Sequence, residues 1–427
     1  MDQKEAFHKP RLFLAASVAL VVTAMTFAIR ANLLGPLGDE FGLSPTEIGE
    51  IASAAFWGFT ASMLLGGVTC DFVGIRAMYW AAFLGHLLGI VLTILSVGYW
   101  SLFYSTLLVG FANGFIESAS YTMVSSMYSD QKSKRINDWH IWFPMGIVIG
   151  GLIAYACSLL GWGWKIQMAV MIPPTLAYGY LFLGNKFPKS ERVTMGVTTH
   201  QMVKECFRPL FLFMVFCMLL TGATELGTNQ WIAELLSSVG VPSILLLVFI
   251  NGIMALGRYN AGTILKWTSN TGLLFFSAVF SFIGLQWLGL AQGYTAFLAA
   301  GIFAIGICFF WPTMIGFVSE NIPRSGPLGL SIMGATGLLS TALIMPFFGQ
   351  SYERGLSSAL PAGKEYQELL KADAGSPAFD LLSEAKIIAG SETLRYASIL
   401  PAILIIAFGM LYLAQKGAKR QSKEKLA

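Results

Sequence analysis

The chain has 427 residues, of which 55% are hydrophobic and only 12% charged, with a formal net charge of +4. Soluble domains carry about 25% charged residues, so most of this surface faces something other than water. Continuous apolar runs, many longer than the roughly 18 residues of a membrane span, disfavour both a soluble globule and a β-barrel.

In chain order, hydropathy and turn signals predict twelve spans, over residues 12–36, 46–70, 77–97, 101–127, 138–160, 165–185, 209–234, 241–265, 271–291, 294–319, 326–349 and 394–415. Arg11 leads directly into the first, with no small-residue cleavage site after a short apolar core, so a span is expected there and not a removed leader. The polar break "NKFPKSERVTMGVTTHQMVKECFRP" separates two halves: a bundle over 1–186, a linker over 187–208 and a second bundle over 209–427. Odd-to-cytoplasm counting puts Lys9, Arg11, Arg76, Arg135, the linker cations and the tail "QKGAKRQSKEK" on one side. By the positive-inside bias both termini are then cytoplasmic, in a bacterial inner membrane. The loop over 351–392 is long and mixed in charge. Its stretches "KEYQELLKA" and "AFDLLSEAKII" are expected as two short amphipathic helices at the outer surface.

The expected fold is an all-α membrane protein, with twelve transmembrane helices in two pseudo-symmetric six-helix bundles. The halves echo each other, as "ESASYTMVSSMY" in the fourth span does "FFWPTMIGFVSE" in the tenth. Five scattered cysteines lack CxxC or metal-ligand spacing, so neither metal nor cofactor is expected. No nucleophile elbow, HExxH or phosphate-cradling loop points to an enzyme. No basic, aromatic-interleaved face points to nucleic acid. A monomer is expected, with the lipid bilayer and a small polar solute as partners.

Charges at membrane depth cost roughly 2.5–3.5 kcal/mol on insertion scales and face a bundle interior or a wet cavity. Four stand out: Arg30, Glu117, Glu225 and Arg258. One account makes Arg30–Glu117 or Arg258–Glu225 structural ion pairs. The other places them around a central polar cavity, with Glu117 and then Glu225 as proton-coupling sites. Around Glu117 the small residues Ala112, Gly114, Ser118, Ala119 and Ser120 leave room for a ligand or a helix. His140 is a further candidate, as histidine is the side chain whose ordinary charge change falls in the physiological range. With these, Asn32, Tyr121, Asn137, Trp142, Asn229, Asn251 and Trp311 complete the candidate solute-binding set; Trp57, Trp139 and Trp231 are further candidates for stacking on a sugar ring.

After the second span, "GGVTCDFVGIR" carries Gly67, Asp71, Gly74 and Arg76. It resembles the GxxxDxxGxR/K signature between spans two and three of the major facilitator superfamily. Gly67 suits close helix approach, and Asp71 suits a charge-assisted contact between the halves. "GFANGFIESASYTM" followed by "RINDWHIWFPMGIVIGG" resembles the fourth and fifth spans of the superfamily's fucose/glucose/galactose permease group. There Glu117 matches the group's Glu, Asn137 its Asn, His140 the position of its Gln, and Gly146 its final Gly. The resemblance implies proton coupling and sugar binding for Glu117, hence a sugar:proton symporter. Three departures stand beside it. The Asn-Pro after the Glu is Tyr121–Thr122 here, the first-span Asp aligns with Asn32, and Arg30 is an extra cation. Two functions follow: proton- or sodium-coupled uptake of a monosaccharide, or transport of an organic anion held by Arg30 and Arg258.

Overall fold

The structure is a computed structural model describing residues 8–128, 132–188, 199–260, 268–361, 366–369, 372 and 375–424; within these, the side chains of 67–72, 125, 132–134, 137, 199, 326–327, 367–368 and 418–424 fall outside the description. All the regular secondary structure among the described residues is helical. The first half runs α1 (Lys9–Phe41), α2 (Pro45–Val73), α3 (Ile75–Ile94), α4 (Tyr99–Met127), α5 (Lys132–His140), α6 (Trp142–Leu159), α7 (Trp164–Ala169) and α8 (Ile172–Phe182). After α9 (Thr199–Cys206) come α10 (Pro209–Gly222), a π-helical turn (Ala223–Gly227), α11 (Thr228–Leu235), α12 (Ser243–Tyr259), α13 (Asn270–Leu288), α14 (Thr295–Ile307) and α15 (Phe310–Asn321). The chain closes with α16 (Gly326–Ala359), α17 (Tyr366–Leu369), α18 (Pro377–Ala397) and α19 (Ile399–Glu424). Nine helical stretches among the described residues are long and apolar enough to cross a membrane, and α12 is a shorter apolar helix.

Local chemistry sets where helices stop. α1 starts where the His8 side chain accepts a hydrogen bond from the Arg11 N–H and ends on Gly42 at φ 62°, a left-handed stop that suits glycine. Gly74, at φ 83°, makes the corner between α2 and α3, which is the reason for the second glycine of the 67–76 motif. Between α14 and α15 the cause is Pro312. It has no N–H for the carbonyl four residues back, so the Cys308 oxygen is left without its intrahelical donor. Pro346 does the same to Ala342 within α16, and there the Ser53 hydroxyl of α2 donates to the freed oxygen at 2.6 Å.

One expectation changes here. The loop predicted over 351–392 is shorter, because α16 continues to Ala359. In its first amphipathic stretch α17 covers 366–369, with 364–365 and 370–371 outside the described residues, and the second becomes the 21-residue α18. The eighth span, expected to reach 265, is helical to Tyr259, and 261–267 lie outside the described residues.

Lipid tails supply no hydrophobic drive between helices, so small residues that allow close approach decide the packing. A Cβ on Gly114 of α4 would stand 2.6 Å from the Phe59 carbonyl of α2, and one on Gly110 would strike the Ala55 carbonyl. Gly146 and Gly150 of α6 seat on Val21 and Met25 of α1, with 3.0 Å for any added Cβ. The halves meet where α2 runs along α16, α6 along α12 and α1 along α11. At the α2–α16 crossing a Cβ on Gly49 would lie 2.7 Å from the Met345 carbonyl, and Thr46 donates to Glu353. Beside it Glu234 takes the Lys386 ammonium at 3.6 Å and the Tyr352 hydroxyl at 3.4 Å, binding α11, α16 and α18 together.

Replacing Gly110 by Val should overpack the α2–α4 contact by about 1–3 kcal/mol and lower the melting temperature in detergent by several degrees. Gly98→Ala, where nothing lies within 4 Å, should leave it unchanged; equal melting of the two variants would contradict this packing.

Candidate functional site

The π-helical turn sets the register of the second half's charges. An extra residue in one turn rotates the helix that follows, a distortion common at functional sites. Here it carries Glu225 into the interior, 3% exposed. Arg258, in the last turn of α12, donates from Nη2 to Glu225 Oε1 at 2.7 Å and from Nε to the Cys308 carbonyl at 3.1 Å. The second acceptor is the oxygen that Pro312 leaves free, so one guanidinium ties the π turn, α12 and the α14–α15 break together. Glu225 Oε2 is buried and has no hydrogen-bond partner among the described residues. Asn229 donates to the Glu225 carbonyl at 2.9 Å, and Asn251 donates to the Leu247 carbonyl at 2.9 Å and, more weakly, to Asn229 at 3.5 Å.

The first half brings Glu117, Tyr121 and His140 together. Glu117 and Tyr121 are one turn apart on α4, and His140 closes α5 with Nε2 3.4 Å from Glu117 Oε1. Its ring stacks between Tyr121, at 6.0 Å and 29°, and Phe143, at 5.9 Å and 28°. α5 is held on α1 by Trp139, whose indole N–H donates to the Ala16 carbonyl at 3.1 Å, so that candidate stacking residue anchors a helix. The two clusters feel each other: His140 interacts electrostatically with Glu225, and Arg258 with Tyr121.

Arg30 stands apart from both. It does not pair with Glu117. Instead Nε and Nη2 donate to Gln230 Oε1 at 3.0 and 2.8 Å, and the guanidinium carbon lies 5.2 and 5.3 Å from the Phe27 and Phe56 ring centres. Gln230 is fixed in turn by donating to the Phe27 carbonyl at 3.3 Å. Among the described residues no carboxylate faces this buried cation. A neutral amide oxygen and two π faces hold it in place of a counter-charge.

The remaining candidates scatter. Asn32 donates to Gln167 Oε1 at 2.9 Å, a contact of α1 with α7. Trp142 and Trp57 are exposed, and Trp231 is buried near Tyr352 at 6.1 Å. Trp311 lies against Gly334 and Gly337 of α16, where a Cβ on Gly337 would come within 2.5 Å of its ring. Arg76 is exposed at the start of α3. The side chains of Asn137, Gly67 and Asp71 lie outside the described residues.

A polar chain unread in the sequence crosses the first half. His86 of α3, fully buried, sits 2.9 Å from the Tyr178 hydroxyl and 2.7 Å from Asn113 Oδ1; Asn113 donates to Thr26 at 3.1 Å. Asn113 lies one turn before Glu117 and Thr26 one turn before Arg30, so the chain locks the register of both charged faces. The i, i+4 spacing of Asn113 and Glu117 was the available signal.

A bundle of long apolar helices with charged clusters buried in it is what the described residues form. The family model of the Major Facilitator Superfamily matches residues 14–345, and the chain belongs to that family. Over 169 residues, 39% of this chain and 30% of the relative, it is 27% identical to the facilitated glucose transporter member 10 of solute carrier family 2 from Xenopus tropicalis. It is 25% identical over 183 residues, 39% of this chain, to the probable anion transporter 6, chloroplastic, of Arabidopsis thaliana, covering 35% of that protein. The chain thus spans about a third of the length of these curated relatives. In fold it is similar to a bacterial homologue of the human lysosomal transporter Spinster in an inward-facing, unoccupied conformation, with a TM-score of 0.78 at 15% identity over 94% of this chain and 97% of that one.

Removing one partner of a buried ion pair leaves an uncompensated charge and costs about 3–5 kcal/mol. Arg258→Met should therefore sharply reduce thermal stability in detergent, and adding Glu225→Leu should restore most of the loss. A double variant no more stable than the single one would contradict the pairing.

Proposed function

We propose that this chain is a proton-coupled secondary transporter that moves a monosaccharide or a closely related polar solute by alternating access, in two six-helix bundles joined by the 187–208 linker, with both termini in the cytoplasm. The observation that carries it is that each half buries a carboxylate beside a basic partner, Glu117 with His140 and Glu225 with Arg258. With one proton bound, a carboxylate and a histidine side by side are neutral as a pair whichever of them carries it, which suits a low-dielectric interior. The hydrogen-bonding groups of Asn229, Asn251 and Tyr121 border the same region and suit a hydroxyl-bearing solute. Alternating access would rock the halves about the α2–α16 and α6–α12 contacts.

A second reading, an organic anion such as a sugar acid, is favoured by Arg30. A buried guanidinium facing no carboxylate among the described residues, with N–H groups beyond the two given to Gln230, suits a carboxylate ligand. The split between a glucose-named and an anion-named relative runs the same way.

In proteoliposomes, Glu117→Gln should abolish proton-driven accumulation while solute counterflow survives. Full accumulation by that variant removes Glu117 from coupling. Unlabelled glucose and glucuronate competing in the same counterflow assay separate the readings: Arg30→Gln should weaken competition by glucuronate at least tenfold and leave that by glucose within about threefold if the sugar acid is the substrate.

A further inference from the structure

From the hydrogen bonds that join Tyr178, His86, Asn113 and Thr26 we infer that Asn113 is a positioning residue for the solute site. It holds the Arg30 guanidinium and the Glu117 carboxylate on opposite sides of one contact, so that neither neutralises the other and both stay open to the solute. The inference rests on the proposed function, in which those two charges serve the solute.

The chain of hydrogen bonds runs in one direction. Asn113 Nδ2 donates to Thr26 Oγ1 at 3.1 Å, and that hydroxyl donates to the Thr23 carbonyl at 2.6 Å. Asn113 Oδ1 therefore faces the ring at 2.7 Å, and an amide oxygen only accepts, so His86 Nε2 carries the hydrogen. Nδ1 of the neutral ring then accepts from the Tyr178 hydroxyl at 2.9 Å. All four side chains are buried. They tie α8, α3, α4 and α1 together at one level. Polar groups are costly at such depth unless each is paired. A fully paired set rigidifies a core and selects one arrangement of it, which apolar packing of the same volume does not do.

The arrangement selected is a spacing of charges. α4 runs parallel to α2, because Gly110 meets Ala55 and Gly114 meets Phe59. α1 runs against α2, because Gly38 meets Ile48 while Phe27 meets Phe56. α1 and α4 are therefore antiparallel, and they are joined at Thr26–Asn113. Arg30 follows Thr26 by four residues, and Glu117 follows Asn113 by four. Four residues advance a helix about 6 Å and turn it only about 40°. The two charges thus stay near the facing sides but step away in opposite directions, about 12 Å apart along the axes at Cα. That separation is the reason Glu117 takes His140 and Arg30 takes Gln230. A slip of one helical turn at the contact would halve it and let the two charges pair.

The test uses full-length protein in proteoliposomes, with glucose and glucuronate as probes in counterflow. A wild type that takes neither overturns the proposed function. For whichever probe the wild type takes, His86→Leu and Asn113→Leu should each raise KM at least tenfold. The maximal rate per folded transporter should stay within about threefold. A part in folding alone would lower the melting temperature and leave KM unmoved. His86→Gln supplies one N–H for Asn113 and one oxygen for Tyr178, so it should keep KM within about threefold of wild type. Thr26→Val keeps the side-chain shape and cuts the chain at its α1 end, and it should raise KM as the leucine variants do, whether or not those fold. A wild-type KM in Thr26→Val, or a His86→Gln variant that behaves like His86→Leu, overturns the positioning role alone. Nitrogen-15 NMR of histidine-labelled wild type gives a reading without solute. In the signal that His86→Gln removes, hydrogen on Nε2 supports the chain, and a neutral ring with hydrogen on Nδ1 instead overturns it.

Discussion

The fork of Arg258 between the Glu225 carboxylate and the Cys308 carbonyl is the interaction on which the rest of the second half depends. In an apolar slab every charge and every backbone polar group must find its partner within the chain. The π turn supplies the carboxylate, Pro312 frees the carbonyl, and one guanidinium satisfies both. Three segments that share no sequence neighbourhood are thereby fixed at one point. The remaining carboxylate oxygen has no hydrogen-bond partner among the described residues.

The same bookkeeping of freed carbonyls joins the halves. Pro346 opens the Ala342 carbonyl and Ser53 closes it from α2. Proline in a helix of a soluble protein is mostly a cost of a few kcal/mol; here two prolines create acceptors that neighbouring helices use. Glycine performs the steric counterpart: Gly49, Gly110, Gly146 and Gly150 remove the Cβ atoms that would hold helices apart. Close backbone approach and directed hydrogen bonds replace the hydrophobic drive that lipid cannot give.

The two halves solve the problem of buried charge differently. In the second, a full ion pair is locked by backbone. In the first, Glu117 has a histidine at 3.4 Å and the Tyr121 hydroxyl, and Arg30 has an amide and two aromatic faces. Loosely compensated charges respond to protons and ligands more readily than a tight pair does.

The sequence alone determined that the chain is helical and membrane-embedded, because apolar length and depth of charge are properties of a single segment. It also singled out Glu117, His140, Glu225 and Arg258, since an ionisable residue in an apolar run is visible without a partner. Which charges pair was decided only by the tertiary structure: Arg30 and Glu117 looked equally suited to each other, yet Gln230, two hundred residues away, takes the guanidinium. The His86–Asn113–Thr26 chain, the fork of Arg258 onto Cys308 and the extension of α16 to Ala359 escaped the sequence for the same reason. Each depends on which helix faces rotate toward one another, and that rotation is set by a π turn, a proline and a few glycines acting across helices.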